Sequence, residues 1–375
     1  MTTDDFTIRS IEALCYRYPL ATPVVTSFGR MLNRPAVFIR AVDEDGVEGW
    51  GEAWSNFPAP GAEHRARLVN EVLAPGLVGR KFDHPAQAFD ILTRGTEVLA
   101  LQCGEHGPFA QAISGIDLAL WDLFARRRHL PLWRLLGGRA STIKVYASGI
   151  NPSGAAQTAE AALKRGHRAL KLKVGFGADT DLANLAALRA IAGTRMLAAD
   201  ANQGWSVDQA LEMLPRLAEF DLRWLEEPIR ADRPREEWHK LRASAKMPIA
   251  AGENIASVEG FKQVLAEDVL GVVQPDIAKW GGLSACVGLA GDILKAGKTF
   301  CPHYLGGGIG LLASAHLLAG IAGDGWLEVD TNDNPLRDLL CGPVASVKNG
   351  TIDLGEGPGL DLSPDLATIV NYRVL

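Results

Sequence analysis

Residues 169–203, ALKLKVGFGADTDLANLAALRAIAGTRMLAADANQ, contain one complete unit of the fold. An apolar, strand-like run, ALKLKVG, gives way to a helical pattern over Leu182–Ile191 and then to a second run, RMLAADANQ. The rhythm extends in both directions, from about residue 141 to about 330. IKVYASGI precedes the unit, and LRWLEEPI, MPIAAGENI, GVVQPDIAKW, KTFCPHYLG and GWLEVD follow it, making eight runs. Helical patterns separate them at Thr158–Arg165, Val207–Phe220, Glu236–Ser244, Val258–Asp268, Ala285–Ala296 and Leu311–Ile321, seven in all with the first. Buried strands alternating with helices predict parallel pairing, and eight is the number that closes a (β/α)8 barrel. An open doubly wound sheet is the alternative arrangement.

The flanks read differently. Residues 1–137 show strand alternation at Ala36–Ala41 and Val47–Trp54 around a turn at Asp43–Gly46, then amphipathic helices at Glu63–Leu73, His84–Leu92 and Pro108–Arg128. This is an α+β unit, and Gly137-Gly138 marks its junction with the barrel, assigned to 138–349. The tail, 350–375, is rich in turn residues and predicted to pack back on the N-terminal unit. A length of 375 residues suits a barrel of roughly 250 residues plus a smaller domain.

Composition narrows the function classes. A formal charge of -6 and a pI near 5.8 offer no basic surface, so neither nucleic acid nor an anionic membrane is expected as partner. The five cysteines are scattered and form no CxxC pair, which points to a reducing cytoplasm rather than to disulfides or a zinc knuckle. The acidic start MTTDDFTIRS does not read as a signal peptide, and no apolar run reaches 18 residues. A soluble homo-oligomer acting on a small molecule is expected.

The strands end in Lys173, Asp200, Glu226, Glu253, Asp276, His303 and Glu328, at separations of 27, 26, 27, 23, 27 and 25. One ionisable group per βα unit, at the carboxyl end, places all seven on the rim where barrels build active sites. Asp200, Glu226 and Glu253 end consecutive strands; three converging carboxylates repel unless a hard cation lies between them, and oxygen ligands favour Mg2+ over zinc. The alternative is salt bridging to lysines or helix termini. Lys171 and Lys173 share one strand face, and adjacent ammonium groups lower each other's pKa, making Lys173 the candidate base and Lys171 a contact for a substrate carboxylate. Asp276 and His303 lie on successive strands, so the carboxylate is placed to orient the imidazole as a second acid or base. Glu328, if burial keeps it protonated, can hydrogen-bond an enediolate opposite the metal. Gly306–Gly310 lacks the residues of a phosphate loop and instead lets the backbone pass beside His303 and open a helix.

Together, the KxK of Lys171 and Lys173, the DANQGW segment, EEP, GEN, QPD, PHxxGGGIG and the closing Glu328 resemble the enolase superfamily, specifically the mandelate racemase branch of its mandelate racemase/muconate lactonizing enzyme family. The resemblance implies a capping domain built from the N-terminal part and the tail, a Mg2+ ion and substrates that are carboxylates with an acidified α-hydrogen. It also implies that Asn202 meets the substrate near its α-substituent. Two cap loops, Thr26–Arg30 with Ser27 and Trp54–Phe57 with Trp54 and Asn56, would set specificity. Lys279 does not match the lysine base of the lactonizing branch and reads as a loop lysine. Dehydration of a sugar acid to a 2-keto-3-deoxy acid is the expected reaction. Racemisation or epimerisation at Cα is the alternative, and an inactive barrel serving as a binding protein the remote one.

Overall fold

The computed structural model describes residues 5–26 and 29–375. β1 (Phe6–Thr26), β2 (Gly29–Asp43) and β3 (Glu48–Ala53) form an antiparallel meander, extended at the β1 edge by β4 (Lys81–Phe82). The first of these, 21 residues long, was not anticipated; its alternation is blurred because much of both faces is buried. The helices of this domain are α1 (Gly61–Arg67), α2 (Pro85–Cys103), α3 (His106–Arg127) and the single turn α4 (Leu132–Leu135). α3 lies directly on β3. A Cβ at Gly51 would stand 2.2 Å from the Gly115 carbonyl oxygen, so the strand approaches the helix only because this position is glycine.

The barrel follows as β5 (Thr142–Ile150), β6 (Ala169–Lys173), β7 (Met196–Asp200), β8 (Leu225–Glu226), β9 (Ile249–Ala251), β10 (Val272–Val273), β11 (Thr299–Phe300) and β12 (Trp326–Asp330). The intervening helices are α5 (Ala155–Lys164), α6 (Ala178–Ala192), α7 (Val207–Leu217), α8 (Arg235–Ser244), α9 (Val258–Glu267), α10 (Gly282–Lys295) and α11 (Gly308–Gly320). All eight strands are parallel, and β12 pairs with β5 in register Trp326↔Lys144 to Asp330↔Ser148. That pairing of last strand with first rules out the open doubly wound alternative; the sheet is a nearly closed (β/α)8 barrel.

The interior is plugged by Tyr146, Ala169, Ala198, Ala250 and Val272 from five strands, by Trp224 just before β8 and by Cys301 just after β11, with Trp326 packed against them. Strand side chains repeat with period two, so the residues two further along point into the same space. These are Ser148, Lys171, Asp200, Glu226, Gln274, His303 and Glu328, while above Ala250 stands Gly252, where a Cβ would come within 2.6 Å of the Gln274 backbone nitrogen. An apolar floor thus supports a polar layer at the carboxyl ends.

The N-terminal domain docks over that end through buried polar contacts. Trp54 N–H donates to the Ala278 carbonyl at 3.1 Å, Asn56 Nδ2 to the Leu305 carbonyl at 2.6 Å, and Gly307 and Gly310 N–H to Glu52. The tail divides its contacts: β13 (Thr351–Asp353) adds antiparallel to β5 of the barrel, whereas Gly355 and Gly359 meet Trp133 and Leu132, and Leu375 bonds to Cys15 of β1. Among the described residues no helix is long and apolar enough to cross a membrane.

Candidate active site

Three lysines thread the polar layer, each held by a carboxylate. Lys171, fully buried, donates to both oxygens of Glu226 at 2.7 Å and lies 2.9 Å from Glu328 and 3.6 Å from Asp200. Lys173, one step nearer the cavity with its side chain 20% exposed, bonds to Asp200 at 2.6 Å. Lys279 bonds to Glu253 at 2.7 Å, with its ammonium 4.8 Å from the centre of the Trp54 ring. Gln274 beside it and Trp224 in the layer below donate to Glu226, at 2.8 and 3.2 Å.

This arrangement corrects the expected direction of the lysine shifts. Burial lowers the pKa of both Lys171 and Lys173, and Lys171 lowers that of Lys173 further. The surrounding carboxylates outweigh these effects, led by Glu226 for Lys171 and by Asp200 for Lys173, so both are raised. Glu328 departs from expectation for the same reason: burial favours its protonated form, but Lys171, His303 and Lys173 hold its pKa below the usual carboxylate value. It is an ionised acceptor, bonded by the Ser148 hydroxyl. Lys171 also differs from its expected position, because its ammonium is taken up by carboxylates and does not line the cavity.

On the other side, His303 Nδ1 lies 2.8 Å from Asp276 Oδ2, and Nε2 is 3.3 Å from Glu253 and 3.9 Å from Glu328. Burial disfavours the imidazolium, yet Glu253 and the Asp276 hydrogen bond push the pKa up to about 9. The Gly306–Gly310 run starts α11 as anticipated, but its glycines make room for Glu52 and Tyr304 rather than for His303: a Cβ at Gly307 would come within 2.7 Å of Glu52, and one at Gly310 within 2.3 Å of the Tyr304 hydroxyl.

These groups border a cavity of about 200 Å3 beneath the cap. Lys173, Glu253, His303 and Glu328 line it, as do Asn202, Trp54 and Asn56; Asp200, Glu226 and Asp276 stand behind as the partners just described. Ser27 lies outside the described residues. Lys279 is not the bystander its sequence context suggested, since it lines the cavity and grips Glu253. Its chain turns back after Asp276, with Lys279 N–H bonded to the Asp276 carbonyl at 3.0 Å, and that reversal is invisible in a strand pattern.

Among the described residues no three acidic or histidine groups form a ready-made metal cage. Asp200, Glu226 and Glu253 each lean on a lysine instead. Their chemistry nevertheless fits a hard cation: all donors are oxygens, and burial, with Asp200 and Glu328 adding to it, pushes Glu226 up to about 7. Glu227 is raised further by burial and then by Glu253 and Asp200. Asp200 is instead held low, against burial, by Lys173 and Lys171, and Glu253 by His303 and Lys279, so the excess of acidic charge lies on Glu226 and Glu227, and a dication at the three residues would relieve it.

Sequence reasoning missed several participants. Glu227 is buried and bonded by Asn254 at 2.8 Å; its doubled position in EEP was the available signal. Arg34 of β2, 2% exposed, reaches the cavity wall and pairs with Asp330 of β12 at 2.6 Å, a contact spanning 296 positions that no local pattern announces.

The chain matches two family descriptions: the mandelate racemase/muconate lactonizing enzyme N-terminal domain over residues 8–137, and the enolase C-terminal domain-like family over 154–368. The structure of a mandelate racemase/muconate lactonizing enzyme from Bordetella bronchiseptica RB50 superposes with a TM-score of 0.93 at 51% identity, covering 98% of this chain and 99% of the other. A racemase from Streptomyces coelicolor A3(2), solved with bound magnesium, gives a TM-score of 0.88 at 27% identity, with 98% and 100% covered. D-galactarolactone cycloisomerase of Agrobacterium fabrum is 28% identical over 98% of this chain and 99% of its own length. Other relatives include dehydratases of arabinonate and of talarate/galactarate, an N-succinyl amino acid racemase and a dipeptide epimerase. With both domains matched and the site assembled at the barrel mouth, the chain belongs to the enolase superfamily, within its mandelate racemase/muconate lactonizing enzyme family, and is an enzyme.

Proposed function

We propose that the protein removes the α-proton of a sugar acid and expels the β-hydroxyl, giving a 2-keto-3-deoxy acid. One observation carries this reading: two proton-carrying groups, Lys173 and His303, line one cavity from strands that are not neighbours, with Glu328 on the strand between His303 and β5. Asp200, Glu226 and Glu253 would hold Mg2+, which when bound supplies positive charge to stabilise an enediolate.

Lys173 takes the α-proton in its neutral form, which becomes accessible when the charge of Asp200, the main influence raising its pKa, is engaged elsewhere. His303, with its pKa pushed up to about 9, carries a proton near neutral pH and gives it to the departing hydroxyl. Asp276 fixes the imidazole so that Nε2 faces the cavity. Glu328 accepts hydrogen bonds from substrate hydroxyls, and the amides of Asn56, Asn202 and Asn254 suit a polyhydroxylated chain. Support from relatives comes from those that dehydrate arabinonate and talarate/galactarate.

The same two groups favour a second reading. With no leaving group on the substrate, the group on the far side returns the proton, giving epimerisation. Incubation with Mg2+ and a library of sugar acids in D2O separates the readings: keto-acid formation supports dehydration, and deuterium at Cα without loss of water supports epimerisation. Silence on every acid, with no metal bound, overturns both and leaves a binding role.

A further inference from the structure

One short run of the cap grips both backbone segments that carry the Asp276–His303 pair. Every second residue of it, Glu52, Trp54 and Asn56, bonds to the barrel. Glu52, near the end of β3 and 1% exposed, accepts the N–H groups of Gly307 at 2.5 Å and Gly310 at 2.9 Å. Gly307 is the N-cap of α11 and brings no side chain to satisfy that helix's first N–H groups, so a residue of the other domain does it. Asn56 Nδ2 donates to the Leu305 carbonyl at 2.6 Å, between that cap and His303. Trp54 N–H donates to the Ala278 carbonyl at 3.1 Å, and Ala278 N–H in turn holds Asp276 Oδ1 at 2.9 Å. The fit is close, since a Cβ at Gly306 would stand 2.5 Å from the Tyr304 hydroxyl and one at Gly307 2.7 Å from Glu52. Lys173 is anchored differently: β6 lies between β5 and β7, and its ammonium bonds to Asp200 of β7.

We infer, resting on the reading of His303 as the acid of a sugar-acid enzyme, that Glu52 is a positioning residue for His303: the docked cap sets the imidazole within reach of the departing hydroxyl, whereas Lys173 takes its place from the barrel strands. His303 follows the two-residue strand β11 by three positions. Its own N–H bonds to the Pro275 carbonyl at 3.2 Å, and the chain beyond it is irregular until α11 begins. A side chain on such backbone is located by whatever holds the backbone, and Glu52 and Asn56 hold it at Leu305, Gly307 and Gly310. The tolerance is small. Proton transfer needs donor and acceptor within about 3 Å, and a misplacement of about 1 Å can cost about 10²-fold. The residue type matters as well, because a carboxylate presents two acceptor oxygens to two N–H groups, where an amide presents one.

Glu52→Gln keeps the shape of the side chain but turns an NH2 group toward one of the two backbone donors. In D2O with saturating Mg2+ and a sugar acid that the native protein dehydrates, keto-acid formation by this variant should fall about 10-fold or more relative to exchange of the α-hydrogen. Gly307→Ala, whose Cβ presses on Glu52, should shift the ratio the same way and stands in if Glu52→Gln fails to fold. A parallel fall in both reactions, or an unchanged ratio, overturns the inference, since a merely structural role would weaken abstraction and protonation alike. A second readout needs no substrate. The low-field proton resonance of His303 Nδ1–H, identified by its loss in His303→Asn, should be sharp in the native protein and broadened or lost in both variants, because a less firmly held imidazole exchanges that proton with water faster. A resonance unmoved in the variants refutes the positioning role. A native protein that dehydrates no sugar acid, yet whose variants lose the resonance, refutes the proposed activity and upholds the positioning role.

Discussion

Asp276 Oδ2 and His303 Nδ1 are 2.8 Å apart, and the other oxygen of Asp276 is itself pinned by the backbone N–H groups of Ala278 and Lys279 at 2.9 and 3.1 Å. The carboxylate therefore cannot swing away, and the imidazole is held with Nδ1 as donor and Nε2 free to carry a proton to or from the cavity. Position and protonation state come from one contact.

Replacing Asp276 by Asn tests that contact. The amide oxygen would keep the two backbone donors and turn the NH2 toward Nδ1, forcing Nδ1 to accept and leaving no route to the imidazolium. Turnover by Asp276→Asn should fall by about 10²-fold or more, with the fold retained by circular dichroism. Near-normal kcat would show that the imidazole works without its partner.

Lys173 and His303 are separable by isotope exchange. Lys173→Ala should abolish both keto-acid formation and exchange of the α-hydrogen with D2O. His303→Asn should abolish keto-acid formation yet retain exchange, because abstraction does not need the acid. If His303→Asn exchanges one stereoisomer and Lys173→Ala the other, the two act as opposed bases and the epimerase reading takes over.

Chelation followed by Mg2+ titration probes the acidic trio. A ligand that binds only the folded state raises Tm, so the chelated protein should melt higher as Mg2+ is added and regain activity in parallel. Asp200→Asn should need more Mg2+ for the same rise. An unchanged Mg2+ dependence removes Asp200 from the ligand set.

Much of this was legible in the sequence because two periodicities are strict. The strand and helix rhythm fixed the number of units, and alternation along ALKLK put Lys171 and Lys173 on one face. What escaped depends on distance in the chain or on summed charge. Arg34 acquires meaning only beside Asp330, and Lys279 only after the turn that folds it over Trp54. The lysine shifts were misjudged because the repulsion between neighbours in sequence is visible there, whereas the carboxylates from β7, β8 and β12 that overcome it arrive through folding. Glu328 was misjudged on burial alone.

A pH test of the domain junction uses Asp117, remote from the cavity. This buried residue of α3 accepts the N–H groups of Leu283 and Ser284 at 2.7 and 3.0 Å and the Ser284 hydroxyl at 2.5 Å, closing the first turn of barrel helix α10 from the cap. Burial pushes its pKa up to about 7, more than those hydrogen bonds lower it. A folded-state pKa above the unfolded value of about 3.9 means the folded form holds a proton that the unfolded form releases between these limits. The contribution of Asp117 to stability is thus fully present below about pH 4 and lost as pH rises toward 7, by an amount on the order of a few kcal/mol. Asp117→Asn can keep the backbone bonds with its oxygen and has no proton to release. The Tm of the variant relative to the native protein should therefore climb from pH 4 to 7 and level off above, a difference that isolates this position from Glu52, which burial also raises to about 7. A relative Tm that is flat or falls across that window would mean that Asp117 is ionised in the folded protein throughout.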